Sequence, residues 1–341
     1  MSNFISLYSG AGGMDLGFAR AGFIPKWANE IDPLAVKTYD EFFDGHSATC
    51  GDLLGQLWQL DGVSADLVIG GPPCQGFSVA GRMDPSDPRS LHVRHFLQVV
   101  EKVRPRAFVM ENVKALAVND RWEETRNWLR ARADELGYDT RLYLLNASHF
   151  DVPQARERMF LVGLATGLRH VAPPPVTVQS PPTVRSILAT LPAVGSAGNV
   201  GICPAKVSLA RRPVLRRSPY AGLLLNGQGR VLDLDAPALT LPATMGGNRT
   251  PVIDQRALDT GQPNWILGYH QHLMNGGAPM STAPAFLRRL TVEEAAALQT
   301  FPNNSIWHGS QSAVFRQIGN AVPPNLAYHV AVAIRTSLDN A

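Results

Sequence analysis

The stretch Asp66-Leu-Val-Ile-Gly-Gly-Pro-Pro-Cys-Gln-Gly-Phe-Ser78 carries a short apolar run straight into two glycines and two prolines. Such a run reads as a buried strand, and the stiff turn behind it presents Cys74 at the strand's carboxyl end, where open α/β sheets place their ligands. A structural cysteine belongs in an apolar periodic run, as expected of Cys50. Cys74, in a rigid turn, reads instead as a nucleophile whose reactive form is the thiolate. Toward the C-terminus, Arg106-Ala-Phe-Val-Met-Glu-Asn-Val113 is a further strand ending in Glu111, 37 residues after the cysteine. In a parallel sheet both strand ends face one crevice, and a thiolate beside a carboxyl group suits nucleophilic addition with proton donation to a ring nitrogen. A carboxylate capping the next helix is the plainer alternative. Gln154-Ala-Arg-Glu-Arg158 sets Arg156 and Arg158 two apart, on one side of an extended segment. There they hold an anion or a carbonyl oxygen, or form a surface ion-pair ladder.

Toward the N-terminus, Ser9-Gly-Ala-Gly-Gly-Met14 follows the strand Phe4–Tyr8 and opens an apolar helix. Glycines let a backbone approach a nucleotide, and a helix N-terminus offers free N–H groups to an anion. Asp15 stands where a dinucleotide fingerprint has its last glycine, so that fold is not specified. Glu30 follows Gly10 by 20 residues, placed to accept hydrogen bonds from a ribose diol, and Asp52 to receive an adenine amino group. A tight turn followed by surface carboxylates leaves the same pattern.

The 341 residues, 45% hydrophobic and 17% charged, suffice for one large domain or two ordinary ones and exclude disorder through excess charge. No apolar run approaches the roughly 18 residues of a membrane helix, and no Lys or Arg precedes Arg20 in a secretory-type leader. The expectation is a soluble, cytosolic chain. Cys50, Cys74 and Cys203 form no CxxC pair, which argues against a disulfide framework and a zinc site. The net charge of +3 is too mild to announce a partner, but it is unevenly spread: −3 over 1–169, +5 over 170–285 and +1 over 286–341. Arg211, Arg212, Arg216 and Arg217 sit in the basic middle, behind the Pro-rich run 171–176. From 3 to 163, short apolar runs alternate with amphipathic ones, the pattern of a largely parallel, doubly wound α/β sheet. Strands are expected at Phe4–Tyr8, Asp66–Ile69, Ala107–Met110, Thr140–Leu145 and Met159–Gly163, and helices at His92–Val103 and Arg121–Leu136. Periodicity is poor from 173 onward and returns in helices at Thr291–Gln299, where Thr291 and Glu294 have capping-box spacing, and Pro324–Ser337.

Together these residues resemble the cytosine-C5 DNA methyltransferase family of bacterial type II restriction-modification systems. The ordered series runs from Ser9–Gly13 through Glu30, Asp52, Gly70–Ser78, Glu111-Asn-Val113 and Gln154–Arg158. After a variable region it ends with Arg289-Leu-Thr-Val-Glu-Glu-Ala-Ala-Ala-Leu-Gln-Thr-Phe-Pro302 and Gln317-Ile-Gly-Asn-Ala-Val-Pro323. The resemblance implies a Rossmann-like catalytic domain over 1–169, a smaller, irregular target-recognition domain over 170–285, and a C-terminal return to the catalytic domain over 286–341. It implies Cys74, Glu111, Arg156 and Arg158 as catalytic residues. S-adenosyl-L-methionine, leaving as S-adenosyl-L-homocysteine, is implied along Tyr8, Gly10, Ala11, Gly12, Gly13, Glu30, Ile31, Asp52, Leu53, Pro72, Asn320 and Val322. Double-stranded DNA is the implied partner, met by Gln75, Ser78, Arg82, Arg230, Thr240 and Arg249. A monomer needing no metal or membrane is expected in the bacterial cytoplasm, at the nucleoid, protecting DNA from a cognate restriction endonuclease. The chain departs from the family at Tyr8, where Phe is usual, and at Ala80, where some relatives carry a hydroxyl that enters the DNA. A tRNA methyltransferase and a non-catalytic DNA-binding relative are the alternatives, and a nicotinamide dehydrogenase is remoter still.

Overall fold

A computed structural model describes residues 2–73, 91–172 and 180–340. They fall into two compact units, one drawn from 1–150, 156–179 and 321–341, the other from 151–155 and 180–320.

The first unit is built on a seven-stranded sheet of β1 (Asn3–Leu7), β2 (Ile24–Glu30), β3 (Thr49–Cys50), β4 (Leu67–Gly70), β5 (Ala107–Val113), β6 (Tyr138–Asn146) and β8 (Glu157–Ala165). Across the sheet the order is β3-β2-β1-β4-β5-β8-β6. The chain builds outward from β1 to β3 in one direction, then returns to β1 and builds the other way through β4 and β5. The reversal lies between β1 and β4, the kind of switch point at which such sheets bind ligands beyond their carboxyl ends. Phe4, Ile5, Leu67, Val68, Ile69 and Phe108 are fully buried, as strands covered on both faces must be. The expected parallel sheet holds from β3 to β5, but β8 runs antiparallel to both β5 and β6. Strand strings do not encode direction, and the short link from β6 to β8 lets the chain fold straight back.

Helices α1 (Gly13–Arg20), α2 (Pro33–Phe42), α3 (Leu53–Gln56), α4 (His92–Val103), α5 (Lys114–Val118) and α6 (Glu123–Glu135) connect these strands. The C-terminal helix α12 (Pro324–Asp339) packs on α1 so tightly that a Cβ on Gly17 would lie 2.5 Å from Ala327 Cβ and 2.5 Å from the Tyr328 nitrogen. Only glycine permits that approach.

The second unit contains β7 (Gln154–Ala155), β9 (Leu209–Val214), β10 (Leu223–Leu225), β11 (Ala238–Leu239), β12 (Val252–Asp254) and β13 (Leu287–Arg289). They pair two by two: β9 with β10 and β12 with β13 antiparallel, β7 with β11 parallel. Its helices are α7 (Val184–Leu188), α8 (Gln255–Thr260), α9 (Trp265–Met274), α10 (Val292–Leu298) and α11 (Gln311–Asn320). Leu224, Leu225, Val252, Ile266, Tyr269 and Leu287 form a core of their own. The capping box forms as its spacing predicts, with Thr291 Oγ1 accepting from the Glu294 N–H at 3.0 Å and Glu294 Oε2 accepting from the Thr291 N–H at 3.0 Å. Helix α9 falls in sequence without clear periodicity and starts at an Asn264 cap. Cys50 corrects an expectation: it ends the two-residue strand β3 and is exposed, whereas Cys203 is buried. Among the described residues no helix is long and apolar enough to cross a membrane.

Candidate active site

Three left-handed residues shape the turn after β1: Tyr8 at φ 55°, Gly10 at φ 55° and Gly12 at φ 82°. Gly12 caps α1, and a Cβ there would press to 2.8 Å on the Phe43 ring. Gly10 has nothing within 4 Å of a built Cβ, so its conformation and the open space beyond it explain the residue. Ala11 and Gly13 are buried beside it. Glu30, at the end of β2, ties this turn down. Its Oε2 accepts from the Gly10 N–H at 2.9 Å, while Oε1 accepts from the Ile31 and Asp32 N–H groups at 2.9 Å each. Burial pushes the Glu30 carboxyl above its ordinary range despite the opposing backbone bonds. Two residues past β3, Asp52 caps α3 by accepting from the Leu54 N–H at 3.0 Å. Leu53 is buried in the core, while Ile31 is 66% exposed, an apolar side chain left open beside Glu30. The open space at Gly10, the N–H groups of α1, a carboxylate at the end of β2 and an uncovered aliphatic side chain could hold a nucleoside-bearing ligand.

The second cluster spans β4, β5 and β8. In the antiparallel ladder Glu111 lies opposite Phe160, and Val113 opposite Arg158. From that diagonal position Arg158 Nε meets Glu111 Oε1 at 2.9 Å. Glu111 is 8% exposed. Burial drives its carboxyl upward, and the positive charges of Arg158 and then Arg156 pull it back, leaving a net rise. A Cβ on Gly71 would stand 3.2 Å from Glu111 Oε2, so the glycine pair of the Pro-Pro turn leaves room for this carboxylate. Asn112 Nδ2 donates to the Pro72 carbonyl at 3.2 Å, joining β5 to the start of that turn. Lys114 bridges Glu157 at 2.8 Å. Arg156 is 1% exposed, and its carbonyl accepts from the Ala147 N–H at 2.8 Å. Cys74, Gln75, Ser78, Ala80 and Arg82 lie outside the described residues. Pro72 and Val322 are buried in the first unit; Asn320 is an exposed helix end in the second.

Within the second unit, Thr240 Oγ1 donates to the Ala155 carbonyl at 3.0 Å, and the Leu241 N–H donates to Gln154 Oε1 at 3.0 Å. Sequence reasoning does not single out Gln154, a fully buried residue whose side chain holds Leu241 to β7. Its only sequence signal is its place at the head of the two-arginine run. Arg230 and Arg249, both exposed, lie on neighbouring segments linked by the Gly229 N–H donating to the Asn248 carbonyl at 3.1 Å. Arg211 and Arg212 of β9 border a groove of about 1020 Å³ that also meets Asn226, Gln228, Met280 and Ser281. No ion pair among the described residues engages Arg211, Arg212, Arg216 or Arg217.

A family model described as C-5 cytosine-specific DNA methylase matches residues 2–199 and 249–336. The chain is 32% identical to type II methyltransferase M1.HphI of Haemophilus parahaemolyticus, over 97% of this chain and 86% of that protein. It is 31% identical to type II methyltransferase M.XorII of Xanthomonas oryzae pv. oryzae, over 98% of this chain and 84% of that protein. In fold it is similar to the crystal structure of the S. pombe Dnmt2 methyltransferase, with a TM-score of 0.67 at 19% identity, covering 100% of this chain and 99% of that one.

Proposed function

The chain belongs to the C-5 cytosine-specific DNA methylase family, in its type II restriction-modification branch, and on that premise we propose a mechanism for its DNA cytosine-5 methylation. The buried Glu111 carboxyl, held at 2.9 Å by Arg158, is the observation that carries the reading.

Cytosine C5 is a poor nucleophile. Addition of the Cys74 thiolate to C6 converts C5 into an enamine-like carbon and puts negative charge into the ring. Glu111 holds a proton at cytosine N3 as that charge develops. A carboxyl raised by burial is suited to this, because it keeps a proton that an exposed carboxylate would surrender. Arg158 turns its guanidinium to the base oxygen O2, and Arg156 supports the turn that carries Cys74. Tyr8, Gly10–Gly13, Glu30, Ile31, Asp52, Leu53, Pro72, Asn320 and Val322 would hold S-adenosyl-L-methionine, which when bound would supply the electrophilic methyl group. The C5 proton then passes to water, the C5=C6 double bond re-forms as the C6–S bond breaks and returns the Cys74 thiolate, and the N3 proton goes back to Glu111, leaving 5-methylcytosine and S-adenosyl-L-homocysteine. A base within a duplex cannot reach Cys74, so the cytosine is flipped out at a cost of a few kcal/mol.

Recognition falls to the second unit together with Gln75, Ser78 and Arg82. Thr240 meets the sugar-phosphate of the flipped base, Arg230 and Arg249 reach base edges, and the β9 arginines meet phosphates. The chain acts as a monomer in the cytoplasm and protects DNA from a cognate endonuclease. Bisulfite sequencing of DNA from a methylation-free host expressing this chain, beside its Cys74→Ala variant, tests the proposal. Full methylation at one short motif, absent from the variant, is expected. Methylation by Cys74→Ala would refute the covalent mechanism, and unmodified DNA beside modified RNA would replace the substrate.

A further inference from the structure

We infer that His92 is a positioning residue for the methyl-donor pocket, its imidazole orienting the Tyr8 ring through a hydrogen bond to the phenol hydroxyl. This rests on the donor-site reading above. The Tyr8 hydroxyl and His92 Nδ1 are 3.1 Å apart, and the two rings meet edge to face at 5.4 Å and 88°. Tyr8 also sits at φ 55°, in a left-handed region that a bulky side chain adopts only when its surroundings hold it there. The ring packs against the apolar core below the sheet's end, and the hydroxyl meets an imidazole from the first residue of α4. Asp52, the carboxylate assigned to the adenine amino group, acts electrostatically on both Tyr8 and His92. The pair therefore lies in the neighbourhood of the donor, not at a remote face. A phenylalanine, usual in the family at this position, would need no such partner.

Among the described residues, the groups facing His92 are the Tyr8 phenol from the turn after β1, Asp52 from the cap of α3, and His95 from its own helix, with the two imidazole centroids 5.2 Å apart. A neutral His92 with its proton on Nε2 accepts from the phenol. Protonation makes Nδ1 a donor and turns the bond around. Burial and then His95 lower the His92 pKa, opposed by Asp52, so the accepting form prevails at neutral pH and is lost on acidification below the usual histidine range.

Calorimetric affinities for S-adenosyl-L-methionine between pH 5.5 and 8 test this, in wild type, Tyr8→Phe, His92→Ala, His92→Asn and the Tyr8→Phe/His92→Ala double variant. At pH 7.5 each single removal weakens binding about three- to tenfold, as loss of one net hydrogen bond does. The double variant is no weaker than His92→Ala. Wild type loses more affinity on acidification than either single variant. His92→Asn, which keeps a neutral polar atom near the place of Nδ1, retains most of the affinity with the flatter profile. Thermal melts verify that each variant is folded. Wild-type affinity and pH profile in folded His92→Ala, or losses that multiply in the double variant, would overturn the inference alone. A wild-type chain that binds no S-adenosyl-L-methionine would take the donor-site reading down with it.

Discussion

The Glu111–Arg158 site and the β9 arginine groove place charge in opposite ways. Glu111 and Arg158 stand on long strands of a seven-stranded sheet, where ladder register sets each residue against its neighbour and burial strips away water. Arg211 and Arg212 stand on a short hairpin, exposed beside an open groove. Proton handling at a ring nitrogen needs a carboxyl group fixed to a fraction of an ångström with a shifted pKa. Attraction to phosphates needs only accessible positive charge, and tolerates irregular backbone.

Glu111→Gln breaks the comparison hardest. Turnover should fall about a hundred- to ten-thousandfold, the usual worth of a positioned acid-base group, while DNA affinity stays within about twofold. Single-turnover methyl transfer read beside a mobility-shift titration decides it, and turnover within tenfold of wild type would remove Glu111 from the mechanism. On the other side, Arg211→Ala with Arg212→Ala should weaken DNA binding about tenfold or more. The slope of log affinity against log salt should drop by about 1 for each phosphate left without its arginine. An unchanged slope would show that this groove does not meet the DNA backbone.

A smaller effect, on stability, separates two buried acids of the first unit. Glu111 has guanidinium partners, whereas Asp15 takes a hydrogen bond at 3.0 Å from the Tyr39 hydroxyl. Burial raises the Asp15 carboxyl from 3.8 to about 6, so the folded chain holds this proton more tightly than the unfolded one. The stabilisation is complete below the unfolded value and is lost as pH rises through about 6. Asp15→Asn should therefore remove a stability difference between pH 4 and pH 8 on the order of 1–3 kcal/mol. Urea unfolding at the two pH values measures it, and an unchanged difference would assign the dependence to other groups. Smallest of all, Thr240→Ala should lower DNA affinity a few-fold without abolishing turnover, because β11 still pairs with β7 through its backbone. A mobility-shift titration identical to wild type would detach Thr240 from the DNA.

Much of the site could be read along the chain because its parts are local. A glycine turn between strand and helix, a cysteine behind two prolines and a capping box each depend on residues within a few positions of one another. The Glu111–Arg158 contact is of another kind, since it joins residues 47 apart through an antiparallel register that apolar strand patterns do not encode. Gln154 and His92 are hidden in the sequence for a related reason: each owes its role to a partner far along the chain, at Leu241 and at Tyr8. Cys50 departs from its expected burial because a two-residue strand has too few residues to show which face is covered.

The sequence by itself determined the family, the α/β class and the basic character of the middle region, because these rest on residue types in a fixed order. Tertiary structure alone decided that β8 runs antiparallel beside β5, that Arg158 reaches Glu111, and that the Tyr8 phenol meets an imidazole. Strand direction and side-chain partnership are set by which surfaces pack together, and packing brings together residues that no spacing rule connects.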